Sequence, residues 1–203
     1  MMKKVLFVAI LSMASLFLSA QHVEFGLKTG LNIANLKDKN GNPNDYYHTK
    51  LGVYGGVFTH VHITNRWAVQ PEIVFSQQGT KFGNGSLPET DRTLNYLNLP
   101  VLVQYMTTSG FRLQAGPQIG FLLSARDEFQ GIKTNVKEDI KSTEFAMVFG
   151  AGYLTKFGLG FDARLNAGLT DIRKSSSLPT PKYRNDVVQL GIFYQFRPAS
   201  KKS

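Results

Sequence analysis

The sequence predicts an all-β fold: eight antiparallel strands closed up-and-down into a transmembrane β-barrel behind a cleaved N-terminal signal peptide. Three observations carry that reading. Eight segments alternate apolar and polar residues with the period of a strand, the connections between them take turns being long and short, and no stretch beyond residue 20 is apolar enough to span a bilayer as a helix. Composition sets the outer limits. The chain has 203 residues, 23 Lys+Arg against 14 Asp+Glu for a net charge of +9, no cysteine, and 18% charged residues. Without cysteine there can be no disulfide framework, Cys-ligated zinc, iron–sulfur cluster or thiol catalysis. At 42% hydrophobic residues the chain is too apolar for intrinsic disorder, and its mean hydropathy of -0.14 is too low for a bundle of membrane helices.

The N-terminus reads as an address. Lys3 and Lys4 precede residues 5–18, which are apolar except for Ser12 and Ser15, and Ser19 and Ala20 are small, as a signal peptidase site requires. The run is shorter than the roughly 20 residues of a spanning helix, and no basic stop-transfer flank follows it. Residues 1–20 are therefore expected to be removed, 21–196 to form the barrel, and 197–203 to trail as a basic tail. Loss of Lys3 and Lys4 lowers the positive charge by two and leaves an exported, still basic protein.

In the first strand Val23, Phe25, Leu27, Leu31 and Ile33 alternate with Glu24, Gly26, Lys28, Gly30 and Asn32. The second covers 51–63, where Tyr54 and Phe58 compete with Val53, Val57 and Val61 for the lipid-facing side, and the sequence leaves that choice open. The third, 67–76, puts Trp67, Val69, Ile73 and Phe75 opposite Gln70 and Glu72. The fourth, 94–105, carries Leu97, Leu99, Val101, Val103 and Tyr105 on one face. The fifth, 111–123, is the clearest: Phe111, Leu113, Ala115, Pro117, Ile119, Phe121 and Leu123 alternate with Arg112, Gln114, Gly116, Gln118, Gly120 and Leu122. A slip of one residue would exchange the two faces, so the pattern pins the register. The sixth, 144–154, shows Phe145, Met147, Phe149, Ala151 and Tyr153. The seventh sets Leu159, Phe161, Ala163, Leu165 and Ala167 against Asp162, Arg164 and Asn166. The eighth, 187–196, lines up Val188, Leu190, Ile192, Tyr194 and Phe196. Strands of roughly 10–13 residues are long enough to cross a bilayer with tilt.

The connections add the membrane argument. Residues 36–50, 77–93, 126–143 and 170–185 are long and polar, whereas 64–65, 106–110 and 155–158 are tight. A soluble sandwich has no reason to keep this rhythm, but an outer-membrane barrel does, with short turns inside and long loops outside. Closure also removes strand edges that lipid could not satisfy.

Inward-facing Glu24, Lys28, Glu72, Gln104, Arg112, Gln114, Gln118, Glu144, Asp162 and Arg164 mix both signs. Because an eight-stranded barrel is only wide enough to be filled by side chains, they are expected to pair as a lumen network and leave no open pore. Trp67, Tyr105, Tyr153, Tyr194 and Phe196 stand near strand ends, where aromatic girdles meet lipid headgroups. In the last strand Gln189, Gly191, Tyr194 and Phe196 have the polar, glycine, aromatic, aromatic spacing of an assembly signal for such barrels, although the chain then continues as a tail.

No catalytic, cofactor or metal site is expected. His60 and His62 share a strand face without a neighbouring carboxylate, so they read as structural. Ser76 shares its face with Glu72, but no histidine falls beside it for nucleophilic chemistry. The glycines sit in no strand-to-helix turn, which argues for close strand packing and against a phosphate loop.

The blocks AVQPEIVFSQQGTKF (68–82), LNYLNLPVLVQY (94–105), LQAGPQIGFLLSA (113–125), FGAGYLTKFGLGFDARLNAGLTDI (149–172) and VVQLGIFYQF (187–196) resemble the PorT-like outer-membrane β-barrel family. The resemblance implies an exported eight-stranded barrel in a Gram-negative outer membrane and little chemistry, because that family is held together by architecture. The expected partners are outer-membrane lipid and lipopolysaccharide, and the barrel-assembly machinery during insertion; Arg173, Lys174, Lys182 and Arg184 of the last loop read first as solvated loop charge and otherwise as contacts to lipid headgroups. Nucleic acid is not expected to meet an exported barrel. Recognition is expected in the long loops, around Tyr46 and Tyr47 and across 126–142. The alternatives are a component of a protein secretion system, a membrane-embedded lipid hydrolase using Ser76, and a soluble periplasmic lipocalin-like barrel whose apolar face would turn inward around a hydrophobic ligand.

Overall fold

The computed structural model describes residues 23–38, 47–82, 89–171 and 183–196. The signal segment, the tail and most of the last loop's basic residues lie outside them. Nine strands follow in order: β1 (Val23–Asp38), β2 (Tyr47–His62), β3 (Trp67–Phe82), β4 (Thr90–Met106), β5 (Phe111–Phe129), β6 (Ile132–Asn135), β7 (Thr143–Leu154), β8 (Leu159–Gly168) and β9 (Tyr183–Phe196). Eight form the barrel wall. Each pairs antiparallel with the next, β5 with β7, and β9 returns to β1 over a ladder from Phe25↔Phe196 to Asp38↔Tyr183, which closes the sheet. The remaining strand, β6, pairs with the end of β5 in a hairpin beyond the wall.

Alternation decides the faces. Along β5 the even positions 112 to 122 are buried and their odd neighbours face outward, and along β8 Asp162, Arg164 and Asn166 are buried between exposed Phe161 and Leu165. The face open in the sequence of β2 is settled: Tyr54 and Phe58 are buried inside, while Val53 and Val57 are exposed outside. Glycines explain how rings fit within so narrow a tube. A Cβ on Gly26 would stand 2.1 Å from the Phe58 ring, and one on Gly160 the same distance from the Phe193 ring. The two rings meet edge to face, 6.0 Å apart, and with Leu154 form an apolar cluster inside the barrel. The lipocalin-like alternative is overturned here, since the apolar stripe points out and the polar stripe in.

Several strands outrun the expected lengths. β1 to β3 have 16 residues each, β4 has 17 and β5 has 19, so the connections expected to be loops at 77–93 and 126–143 are partly strand. The sequence hides this because alternation exists only where one face meets lipid. Beyond that belt the ladder is held by polar pairs: Lys50 with Asp91, and Arg92 with Asp127 through a two-pronged contact at 2.7 and 2.6 Å. The β5–β6 turn places Gln130 (φ 49°) and Gly131 (φ 82°) in left-handed conformation, the geometry of a tight hairpin. A 3₁₀ turn at Lys137–Asp139 then returns the chain to the wall, and Ile140 buries itself among Leu94, Tyr96, Leu122 and Ala125. One side of the loop end is thus a raised sheet, while the wall falls lower at β7 and β8.

Candidate functional site

The interior is the part of the molecule with the most concentrated chemistry. Inward positions of β1, β3 and β8 bring two cations and two carboxylates into one cluster. Arg164 engages Glu72 with both arms, Nη1 to Oε2 and Nη2 to Oε1, each at 2.9 Å, and its Nε lies 2.8 Å from Asp162 Oδ2. Lys28 Nζ sits 3.3 Å from both Glu72 Oε2 and Asp162 Oδ2. All four side chains are almost fully buried, and their charges cancel. Buried charges persist only when paired and hydrogen-bonded, and this cluster supplies both conditions.

Amides extend the cluster toward the turn end. Gln70 Nε2 donates to Glu72 Oε1 at 2.7 Å, and Gln70 Oε1 meets His60 Nδ1 at 3.1 Å. Gln114 Oε1 accepts from Arg164 Nη2 at 3.1 Å and from Gln104 Nε2 at 2.9 Å. Arg112 Nη1 donates to Gln195 Oε1 at 2.8 Å, and Gln195 Nε2 donates to Glu24. Gln118 is buried on the same face. His60 and His62 stack edge to face at 4.6 Å, and among the described residues no three His, Cys, Asp or Glu side chains are grouped as metal ligands. Ser76 is buried and accepts from Asn32 Nδ2 at 2.8 Å and Gln78 Nε2 at 2.9 Å, so its hydroxyl belongs to an amide layer. The cavity left between Lys28, Phe58, Gln104, Arg112 and Arg164 is about 10 Å³, the lower limit for a single water.

The sequence reading missed Tyr54, whose hydroxyl donates to Asp162 Oδ1 at 3.3 Å, and the bond from Gln189 Nε2 to Asn32 Oδ1 at 2.8 Å. The first was invisible because both faces of β2 carry large apolar residues. Gln189 and Gly191, read as part of an assembly signal, face the lumen: a Cβ on Gly191 would meet the Tyr54 hydroxyl at 1.9 Å. The aromatic residues gather outside, all at the turn end. Trp67 and Tyr105 are cross-strand partners with rings 5.1 Å apart, Tyr194 and Phe196 follow one another on the same face of β9 with rings also 5.1 Å apart, and Tyr153 stands between Phe111 and Phe161 in the ladders. Of the basic residues of the last loop, Arg184 alone is described, and it is exposed.

A closed eight-stranded wall, apolar outside and ionic inside, is the inverse of a soluble barrel. The family model for the outer membrane protein beta-barrel domain matches residues 19–174. The chain belongs to this family. As an outer membrane protein beta-barrel, it resides in the outer membrane. Its fold is similar to that of Neisserial surface protein A, at 14% identity over 87% of this chain and 100% of that one, with a TM-score of 0.58. The attachment invasion locus protein Ail of Yersinia pestis gives 16% identity, the same coverages and a TM-score of 0.46. At such identities the likeness speaks for the fold alone. No curated protein matches the chain.

Proposed function

We propose that this outer-membrane barrel is a structural and interaction protein that conducts nothing through its lumen and meets its partners at the loop end. The observation that carries the reading is the Lys28–Glu72–Arg164–Asp162 cluster, which fills the midsection down to a water-sized void. Nothing in that arrangement offers a nucleophile, so the reading is non-enzymatic. The raised β5–β6 hairpin supports the second half: all four β6 residues are exposed, and Phe129 and Ile132 present apolar surface at its tip. In a membrane protein, surface of this kind beyond the belt is where recognition is placed. Contacts of the basic last loop with lipopolysaccharide, and insertion by the barrel-assembly machinery, belong to the same reading. The resemblance to PorT-like barrels is compatible with it, and a secretion role would require the hairpin to hold a machinery subunit.

The test is planar-bilayer recording on the purified, folded monomer. The expected outcome is a silent membrane. Stable, step-like conductance would overturn the closed-lumen reading.

A further inference from the structure

At the turn end the three short connections stand around a pocket of about 320 Å³. His62 and Asn65 come from the β2–β3 turn, residues 106–110 from the β4–β5 turn, and Tyr153, Leu154 and Lys156 from the β7–β8 turn, with Arg112 of β5 beside them. The sequence of these turns is one-sided in charge. Residues 62–67, 106–111 and 154–159 hold Arg66, Lys156 and His62 and not one aspartate or glutamate. No carboxylate lines the pocket either. Glu24, at this end of β1, is engaged by Gln195, the amide that also accepts from Arg112.

The cationic lining is held in place. Arg112 is more than nine-tenths buried, its Nη1 donates to Gln195 Oε1 at 2.8 Å, and its guanidinium lies 5.9 Å over the Phe193 ring. It also lines the small cavity beside the charged cluster, so it stands between the two spaces. His62 is packed edge to face on His60, and its Nδ1 is buried without a hydrogen-bond partner. A buried ring nitrogen left unpaired costs free energy unless a ligand or water completes it. Lys156 is exposed at the rim.

A guanidinium, an ammonium and an imidazole around one space, with no carboxylate among them, suit an oxyanion of more than one charge. The volume exceeds what a bare ion needs and reaches the lower end of small-molecule sites. Met106, Leu154 and Tyr153 supply apolar wall for carbon attached to that anion.

We propose that the turn-end pocket binds the phosphate of an organic phosphate ester through His62, Arg112 and Lys156. In an outer-membrane barrel this end faces the periplasm. The ester reaches it either as the headgroup of a phospholipid in the adjoining leaflet or as a soluble molecule.

The experiment uses the full chain folded in micelles of an uncharged detergent, with folding verified by heat-shifted mobility on a gel. Glycerol 3-phosphate is titrated and its ³¹P resonance followed. The wild type is expected to broaden that resonance saturably. Lys156→Glu, at an exposed turn position, should weaken binding about tenfold or more, the loss of one charged hydrogen bond. His62→Leu should weaken it as well. Lys137→Glu makes the same change of charge at the loop end and should leave binding as in the wild type. Phosphatidylglycerol added to the micelles separates the sources: displacement of glycerol 3-phosphate assigns a lipid headgroup, and its persistence assigns a soluble ester. Should His62→Leu fail to fold, Lys156→Glu decides. No saturable broadening, or binding that Lys156→Glu weakens no more than Lys137→Glu does, would overturn the site.

Discussion

The two halves of the lumen solve the same problem differently. Toward the turn end, four full charges neutralise one another and two phenylalanine rings close the gap beside them. Toward the loop end, the described filling is mostly amides and hydroxyls beside Glu144 and the Lys50–Asp91 pair, and several of its atoms have no partner. An eight-stranded wall leaves a space that side chains fill, and each half fills it with buried side chains of its own kind. They differ in what a substitution should do. Both halves hold some unpartnered atoms, His60 Nε2 and Gln104 Oε1 in the one and Asn98 Nδ2 and Asn185 Oδ1 in the other, but within the four-charge cluster removing one member strands the rest.

The largest effect is therefore expected at Glu72. Glu72→Ala leaves Lys28 and Arg164 facing Asp162 alone and removes the acceptor of Gln70, so a loss of about 3–5 kcal/mol is expected, the cost of stranding a buried charge. The protein has one tryptophan, Trp67, which makes urea unfolding in lipid readable by fluorescence. Adding Lys28→Met should recover much of the loss by restoring charge balance. A cost below about 1 kcal/mol for Glu72→Ala would mean that the four groups do not act as a unit.

Next comes the aromatic part of the same half. Gly26→Ala drives a Cβ to 2.1 Å from the Phe58 ring, which packs edge to face against Phe193. An overpacking cost of about 1–3 kcal/mol is expected in the same unfolding assay. Phe58→Leu in that background should cost less than it does alone, because the two substitutions share one contact. Additive costs would show that the ring has room to move.

How much of this was legible in the sequence follows from where its signal comes from. Alternation against lipid located the strands of the belt and the inward positions of Lys28, Glu72, Asp162 and Arg164, since one apolar face fixes the other by parity. It could not show that Arg164 reaches Glu72 across 92 positions of chain, because partners across a lumen depend on barrel stagger, which no local pattern encodes. It was silent on β2, where Tyr54 and Phe58 mimic a lipid face while lying inside. It also took the ends of β3, β4 and β5 for loops, because their pairing continues where both faces are polar. Ile140, one apolar residue in a polar stretch, offered no sign that it would be buried.

The smallest effect separates two asparagines of the amide half that look alike in sequence. Asn32 is saturated: Nδ2 reaches Ser76 Oγ at 2.8 Å and Gln77 O at 2.7 Å, and Oδ1 accepts from Gln189. Asn98 is just as buried, but its Nδ2 has no partner. Leucine is close to asparagine in shape, so Asn98→Leu exchanges an unsatisfied donor for an apolar group and is expected to be neutral or to stabilise by up to about 1 kcal/mol. The same change at Asn32 strands Gln189 and should destabilise. Unfolding midpoints of the two variants, compared in one lipid, give the difference directly. If Asn98→Leu destabilises as much as Asn32→Leu, the Asn98 amide is satisfied by bound water.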